Sequence, residues 1–429
     1  MVISPVLSPR PNPPGPGMRA LSTKTKTLAI LNSSNAQTAT AASTPGDPGR
    51  DLAEQMNDEV RKRFITGSKL GEGTYAIVYS GHYREDPSSL VAIKKIKVNQ
   101  DYKDGIAMDA IREIKFLSEL EHPNVIKLHA VFSTKDQNIS LVLEHLPLGD
   151  LETLWKTHTI SYTSADIKAW ANMLAQAVWF CHENFILHRD IKGNNLLIAA
   201  DGTVKLADFG LARSFADPGR IMTYNVITRF YRPPELLLGA RHYGGGVDVW
   251  SMGVVIAELA IREWFLPSET DFQQLCIIYD VFGTPTEETW PGVSQFQFYT
   301  APDNTPAPSL TLNSSAANGN PSQNTSQPGL KRAQPLGYWR NRFPLLGEDG
   351  IDLIRGMLTL DPLKRLSARA VLDHRYWTNA PRPTKKEDLP RQGGGEQKMG
   401  EDLKRRGGEV DTGRADKVAR RLDFSAVRK

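Results

Sequence analysis

The spacing of apolar residues changes near residue 146. Before it, apolar positions come in short, β-branched runs. Phe64–Tyr79 reads as extended chain containing Gly71-Glu-Gly73-Thr-Tyr-Ala76. Val91-Ala-Ile-Lys94-Lys-Ile-Lys-Val98 reads as the next strand, and Val125–Phe132 and Ile139–Leu143 as two more. Among them, Met108–Leu120 sets Ile111, Ile114, Leu117 and Leu120 at helical spacing, and His122-Pro123-Asn124 ends it. After Leu146 the helical period dominates. Ala165–Glu183 carries Ile167, Trp170, Leu174, Val178 and Cys181 on one face, with Ser164 as its expected cap. Val247–Leu259 is apolar nearly all round, as in a helix buried inside a larger domain; Ile351–Leu358 and Ala368–Leu372 are shorter helices. The pattern predicts an α+β molecule of two lobes. A small, mostly antiparallel sheet with one helix spans 60–146, a larger helical lobe spans 147–380, and a cleft lies between them.

Composition places segments outside these lobes. Residues 1–59 are expected to be a disordered tail. Their first 46 positions lack acidic residues and are rich in Ser, Thr, Pro and Ala. That loosely fits a mitochondrial transit peptide, although the Pro-rich opening disfavours an amphipathic helix; a natural start at Met56 is a third reading. Residues 303–334 read as a disordered insertion and 381–429 as a solvated basic tail. With 23% charged residues and a formal net charge of +4, the chain is too balanced to argue for direct nucleic-acid or membrane binding. Its longest apolar run, Val247–Leu266, is broken by Asp248, Glu258, Arg262 and Glu263. Cys181 and Cys276 sit in apolar runs and are expected to be buried thiols of a reducing compartment.

The chemistry concentrates in His188-Arg-Asp190-Ile-Lys192-Gly-Asn-Asn195, followed by Ala207-Asp208-Phe-Gly210. Two carboxylates, a lysine and a carboxamide within this stretch suit phosphoryl transfer from a magnesium-bound nucleotide to a hydroxyl. Asp190 would accept the hydroxyl proton, Asn195 and Asp208 would hold Mg2+, and Lys192 would neutralise the transferred group. Polar turns that cap their own backbone are the bland alternative; two linked motifs in this order weigh against it. The segments resemble the protein kinase signatures, with Ile191 at the usual Leu position. The resemblance covers roughly 64–378 and implies further roles. Gly71, Glu72 and Gly73 belong to a flap over the ATP phosphates, with Ala76 where the family has a third glycine. Lys94 contacts the phosphates and pairs with Glu113. Leu70, Val78 and Ala92 lie above the purine and Leu197 below. Glu144 and Leu146 offer it backbone hydrogen bonds, beside Leu143. Thr228 bonds Asp190 and Lys192, Glu235 pairs with Arg365, and Asp248 braces the catalytic loop. Gly193 departs from the family's proline.

Ala110-Ile-Arg-Glu113 and Gly283-Thr-Pro-Thr-Glu-Glu-Thr-Trp290-Pro-Gly resemble the cyclin-dependent kinases. Asn138–Leu141, Asp208–Phe215, Val226-Ile-Thr-Arg229 and Leu238–Gly244 resemble the group's TFIIH kinase subunit, the CDK-activating kinase, and Asp101–Ala110 its fungal branch. This implies a nuclear serine/threonine kinase partnered by a cyclin H-like cyclin, an assembly factor and the TFIIH core. Its implied substrates are Ser-Pro sites in the C-terminal repeats of RNA polymerase II and activation loops of other cyclin-dependent kinases. Arg112, Arg189 and Arg213 would converge on a phosphate at Thr223. The cyclin would press the Glu113 helix inward. Arg232 and the Val226-Ile227 bend fit a proline-accepting site. Thr74 and Tyr75 match inhibitory sites, and Arg420-Arg-Leu422-Asp-Phe424 a docking pattern. Two alternatives stand beside this reading. A mitogen-activated kinase would carry Thr-x-Tyr where Thr223-Tyr224-Asn225 stands. A pseudokinase scaffold would have lost Lys94, Asp190, Asn195 or Asp208, and all four are present.

Overall fold

The structure, a computed structural model, describes residues 52–73, 76–97, 108–134, 138–217, 219–301 and 330–391. Thr74, Tyr75, most of the 303–334 segment and the Arg420–Phe424 pattern lie outside the described residues.

The chain opens with helix α1 (Leu52–Lys62), then strands β1 (Phe64–Glu72), β2 (Ala76–Tyr83) and β3 (Leu90–Ile96). Helix α2 (Met108–Glu119) precedes β4 (Leu128–Ser133) and β5 (Ile139–Glu144). The five strands form one antiparallel sheet in the order β1-β2-β3-β5-β4. Successive side chains on a strand face opposite sides, and this alternation sorts β3. Val91 and Ile93 enter a small outer core with Phe64, Phe132 and Val142. Ala92, Lys94 and Ile96 fall on the other face, toward the main core, which places Lys94 in the cleft.

Two sequence expectations for this lobe need correcting. The tail expected through residue 59 gives way to α1, which packs along β4. Asn57 exchanges hydrogen bonds with the Ser133 backbone, Nδ2 to O at 3.0 Å and Ser133 N to Oδ1 at 2.7 Å. β4 is an edge strand, and covering such an edge removes a template for unwanted pairing. The strand expected from Val125 begins only at Leu128. Val125 and Ile126 instead pair with Leu206 of the helical lobe.

The helical lobe contains α3 (Leu151–Lys156), α4 (Ser164–Glu183), α5 (Pro234–Leu237), α6 (Gly246–Ile261), α7 (Asp271–Phe282), α8 (Leu336–Arg342), α9 (Gly347–Met357) and α10 (Ala368–Leu372). Short strands β6 (Ile186–Leu187), β7 (Leu196–Ile198), β8 (Val204–Leu206) and β9 (Arg213–Ser214) pair as β6 with β9 and β7 with β8. α6 is buried on all sides through Ala260, as its uniformly apolar sequence predicts. α4 is capped by Thr163, not Ser164. The Thr163 N–H donates to Asp166 Oδ2 at 2.7 Å, and Ser164 is already the first helical residue. Cys181 is buried, which pushes its thiol pKa up, whereas Cys276 is only half-buried.

Two boundaries expected in this lobe also shift. The insertion expected to end at 334 is already packed by Lys331, whose N–H donates to Thr284 Oγ1 at 3.0 Å and whose carbonyl accepts from Thr284 N at 3.0 Å. The tail expected from 381 stays on the lobe through Arg391. Thr384 bonds Ala165 O at 3.1 Å and Asp166 Oδ1 at 2.6 Å, Arg391 bonds Ala200 O at 2.7 Å, and Leu389 is buried. These partners lie about two hundred positions away, so composition could not reveal them. No helix among the described residues is long and apolar enough to cross a membrane.

Candidate active site

Asp190 sits on a loop whose backbone is held from below. Asp248, near the start of α6, accepts from His188 N and Arg189 N at 2.9 Å each and from His182 at 2.9 Å. Burial alone would raise the Asp248 pKa; these donors hold it below the usual carboxylate range. Arg189 takes a left-handed φ of 63°, a conformation costly for a side chain of its size, and the two Asp248 bonds hold the loop in it. Burial pushes the His188 pKa down, so the ring is neutral. It then accepts from Asp190 N at Nδ1 (3.2 Å) and donates to Ala207 O from Nε2 (3.1 Å).

The Asp190 carboxylate is surrounded by donors on three sides. Thr228 Oγ1 donates to Oδ1 at 2.9 Å. Lys192 Nζ lies 2.8 Å from Oδ2, and Asn195 Nδ2 donates to Oδ2 at 2.9 Å and to the Asp190 carbonyl at 2.8 Å. Lys192 also reaches Thr228 Oγ1 at 3.2 Å. With its Nδ2 turned to Asp190, Asn195 keeps Oδ1 as a hard oxygen donor. Ala207 N donates to Asn195 O at 2.9 Å, which ties the Asp208 segment to this loop. Asp208 takes a left-handed φ of 65°, and about half of its side chain is exposed. Burial would raise its pKa; Lys94 and Lys192 outweigh that and hold it low.

Across the cleft, Lys94 Nζ bonds Glu113 Oε1 and Oε2 at 2.8 and 2.7 Å and lies 3.5 Å from Asp208 Oδ1. Burial pulls the Lys94 pKa down, but the Glu113 and Asp208 carboxylates more than reverse this. Hydrogen bonds and ion pairs thus link residues 94, 113 and 208 into one group and 190, 192, 195 and 228 into another, and the Ala207–Asn195 backbone bond ties the two segments together. The Glu144 N–H donates to Lys127 O at 2.9 Å. Leu146 and Leu143 are buried; Ala92 pairs with Leu143, and Val78 with both Gly71 and Lys94. Leu70 is half-buried on β1, between exposed Lys69 and buried Gly71, and Leu197 lies half-buried on β7. Gly73 closes the flap turn through its N–H to Ala76 O at 2.9 Å.

Glu72 is placed differently. Its carboxylate binds Lys69 and Lys97 along the flap, and those bonds pull its pKa down to about 2. It is occupied as a strut between strands.

The arginine cluster is also partly rearranged. Arg112 pairs with Asp109 Oδ1 at 2.7 Å, the ordinary carboxylate pairing that competes with a phosphate pocket. Arg189 bonds Leu211 O at 2.8 Å and Tyr243 Oη at 3.0 Å. Arg213 keeps a buried Nε without a hydrogen-bond partner. Burial, then the charges of Arg220, Arg189 and Arg112, hold its pKa below the ordinary value. Thr223 is exposed, and its carbonyl accepts from Tyr243 Oη at 2.6 Å. Tyr243 thus bridges Arg189 to the lip. The sequence placed it only within the Leu238–Gly244 resemblance and gave it no role, because its partners lie 20 and 54 positions away.

Gly193 opens the turn between Lys192 and Asn195. A Cβ there would stand 2.9 Å from Glu152 Cβ and 3.0 Å from Glu152 N, so α3 packs directly on the catalytic loop. Farther along, Arg365 makes a two-pronged pair with Glu235 at 2.7 and 2.8 Å, as expected.

The protein kinase domain family matches residues 64–377. The chain is 43% identical to the serine/threonine-protein kinase KIN28 of Saccharomyces cerevisiae over 326 residues, 76% of this chain and 97% of that protein. It is 42% identical to cyclin-dependent kinase 7 of Xenopus laevis over 338 residues, 78% of this chain and 87% of that one. Among solved structures, it is similar to a chain of the CAK complex from Chaetomium thermophilum bound to ATP-gamma-S. There the TM-score is 0.72 at 56% identity, over 80% of this chain and 99% of the other.

Proposed function

Because this chain belongs to the protein kinase family, and within it to the cyclin-dependent serine/threonine kinases, we propose that it moves the ATP γ-phosphate to Ser-Pro sites of the RNA polymerase II C-terminal repeats. Activation loops of other cyclin-dependent kinases are a second substrate class. It works in the nucleus with a cyclin H-like cyclin, an assembly factor and the TFIIH core. The observation that carries the reading is the Asp190 carboxylate, held by Thr228, Lys192 and Asn195 across the cleft from the Lys94–Glu113 pair.

Asp190 takes the proton from the attacking hydroxyl, and Thr228 and Asn195 fix the direction of its oxygens. Lys94, kept charged by Glu113, holds the nucleotide phosphates. Lys192, beside Asp190, neutralises the group in transit. Asn195 Oδ1 and the Asp208 carboxylate are hard oxygen donors that suit Mg2+, which would screen the phosphate charge. The Glu144 carbonyl and Leu146 backbone meet the purine, between Leu70, Val78 and Ala92 on one side and Leu197 on the other. Gly71 and Gly73 let the flap approach the phosphates.

Proline after the acceptor serine is favoured by a spent carbonyl. Ile227 O accepts from Arg232 Nε at 3.2 Å and Nη2 at 3.0 Å, beside Thr228 and hence beside Asp190. A residue with a free N–H finds no acceptor there, whereas proline needs none. Two apolar side chains on the outer face of α2 remain exposed, Met108 at 59% and Ile111 at 43%. They suit a cyclin that holds α2 in its inward position. A phosphate on Thr223 would draw in Arg189, Arg213 and, by releasing Asp109, Arg112.

The test is magnesium-dependent ATP turnover by the chain with its cyclin, on a peptide of Ser-Pro repeats. Asp190→Asn and Glu113→Ala should each lose activity by about a hundredfold or more. Turnover by both variants within a few-fold of wild type, roughly fivefold, would refute the assignment.

A further inference from the structure

The loop that carries Thr228 contains a strained residue, and what restrains it is only partly local. Ile227 is β-branched and takes a left-handed φ of 68°, a conformation such residues rarely adopt. Arg232 is the nearest restraint. Its guanidinium bonds Ile227 O through Nε and Nη2, and Val226 O through Nε at 2.9 Å. Arg232 is nearly buried, so its charge needs a counter-ion. That counter-ion is Asp271, the first residue of α7, whose Oδ2 lies 3.0 Å from Arg232 Nη1. The other oxygen, Oδ1, lies 2.8 Å from Arg229 Nε, and Arg229 also donates to Glu269 O at 2.8 Å. One carboxylate therefore fastens to α7 both the first residue of the short turn Arg229–Tyr231 and Arg232, which caps its end.

We infer that Asp271 is a positioning residue for substrate selection: by orienting Arg232 and Arg229 it keeps the Ile227 carbonyl occupied and so sets which residue can follow the phosphoacceptor. This rests on the Ser-Pro reading above. Without Asp271, two neighbouring guanidiniums repel each other across the turn. Arg232 then gains by swinging toward water. Ile227 O becomes free to accept an N–H, and the penalty against residues other than proline falls. Asp271 touches neither nucleotide nor acceptor hydroxyl, so its loss should alter preference more than rate. About half of its side chain is exposed, so truncation opens no cavity.

The experiment compares kcat/KM for two peptides, differing only as Ser-Pro against Ser-Ala, with the kinase–cyclin complex. Wild type should favour Ser-Pro strongly. Asp271→Ala should lower the ratio by at least about fivefold, with the Ser-Ala value unchanged or raised. Asp271→Glu, which keeps the charge, should hold the ratio within about twofold of wild type. A high ratio retained by Asp271→Ala overturns the inference alone, as does an equal loss on both peptides. A wild-type ratio near one removes the Ser-Pro reading, and the inference with it.

Discussion

Replacing Glu235 with alanine would strand a guanidinium that has no route to water. The Arg365 side chain is fully buried and Glu235 nearly so. All five N–H donors of Arg365 are used. Nη1 binds Glu235 Oε1 and Gly246 O, Nη2 binds Glu235 Oε2 and Leu360 O, and Nε binds Thr359 O. Its plane also lies over the Trp250 ring, 5.1 Å from the centroid. Removing the carboxylate deletes two charge-assisted bonds and leaves a buried positive charge on carbonyl dipoles alone. Breaking such a pair from one side costs about 3–5 kcal/mol. At roughly 2 cal/mol/K per residue over the folded body, the unfolding entropy is about 0.7 kcal/mol/K, so Tm should fall by roughly 4–7 °C. Arg365→Ala should fall at least as far, because it also orphans the carbonyls of Gly246, Thr359 and Leu360. The double variant should lose less than the sum, since the charge and its partner leave together. Thermal unfolding followed by near-ultraviolet circular dichroism reads this directly. A Glu235→Ala protein melting within about 1 °C of wild type would refute the reasoning.

Two further outcomes follow from the same geometry. Burial, opposed by the Tyr231 hydrogen bond at 2.8 Å and reinforced by Glu152, raises the Glu258 pKa to about 8. A carboxyl raised on folding stabilises the fold below its unfolded pKa, and that contribution is lost as pH climbs through the folded value. Urea midpoints of wild type should therefore drop between pH 6 and pH 8.5, those of Glu258→Gln should drop less, and parallel curves would disprove this origin. Gly193→Ala adds a methyl against the α3 backbone, which cannot rotate aside. The turn carrying Lys192 and Asn195 must shift, and kcat should fall by about tenfold or more in steady-state assay; unchanged kcat would show that the loop has slack.

The signatures around Asp190 and Asp208 were legible because each is a local run whose order along the chain is itself informative. The strand alternation that turns Lys94 into the cleft is also local, since neighbouring side chains on a strand must face opposite ways. The uniformly apolar α6 announced its burial for the same reason. Other features had no local cause. α1 is held by the free edge of β4, and Pro381–Arg391 by α4 and the β7–β8 turn; composition alone made both look unstructured. The Thr163 cap lay one residue from the expected one, decided by where Asp166 could reach back. Glu72 has the flap's sequence, but Lys69, three residues earlier on β1, and Lys97, just past the end of β3, capture it. Asp271 and Tyr243 hold arginines 39 to 54 positions away along the chain, a separation no local pattern can reveal. Sequence by itself settled which chemical groups this protein owns and the period on which each segment packs. Only the tertiary structure decided which charges meet, because a carboxylate's partner is set by distance in space, and chain separation places no bound on it.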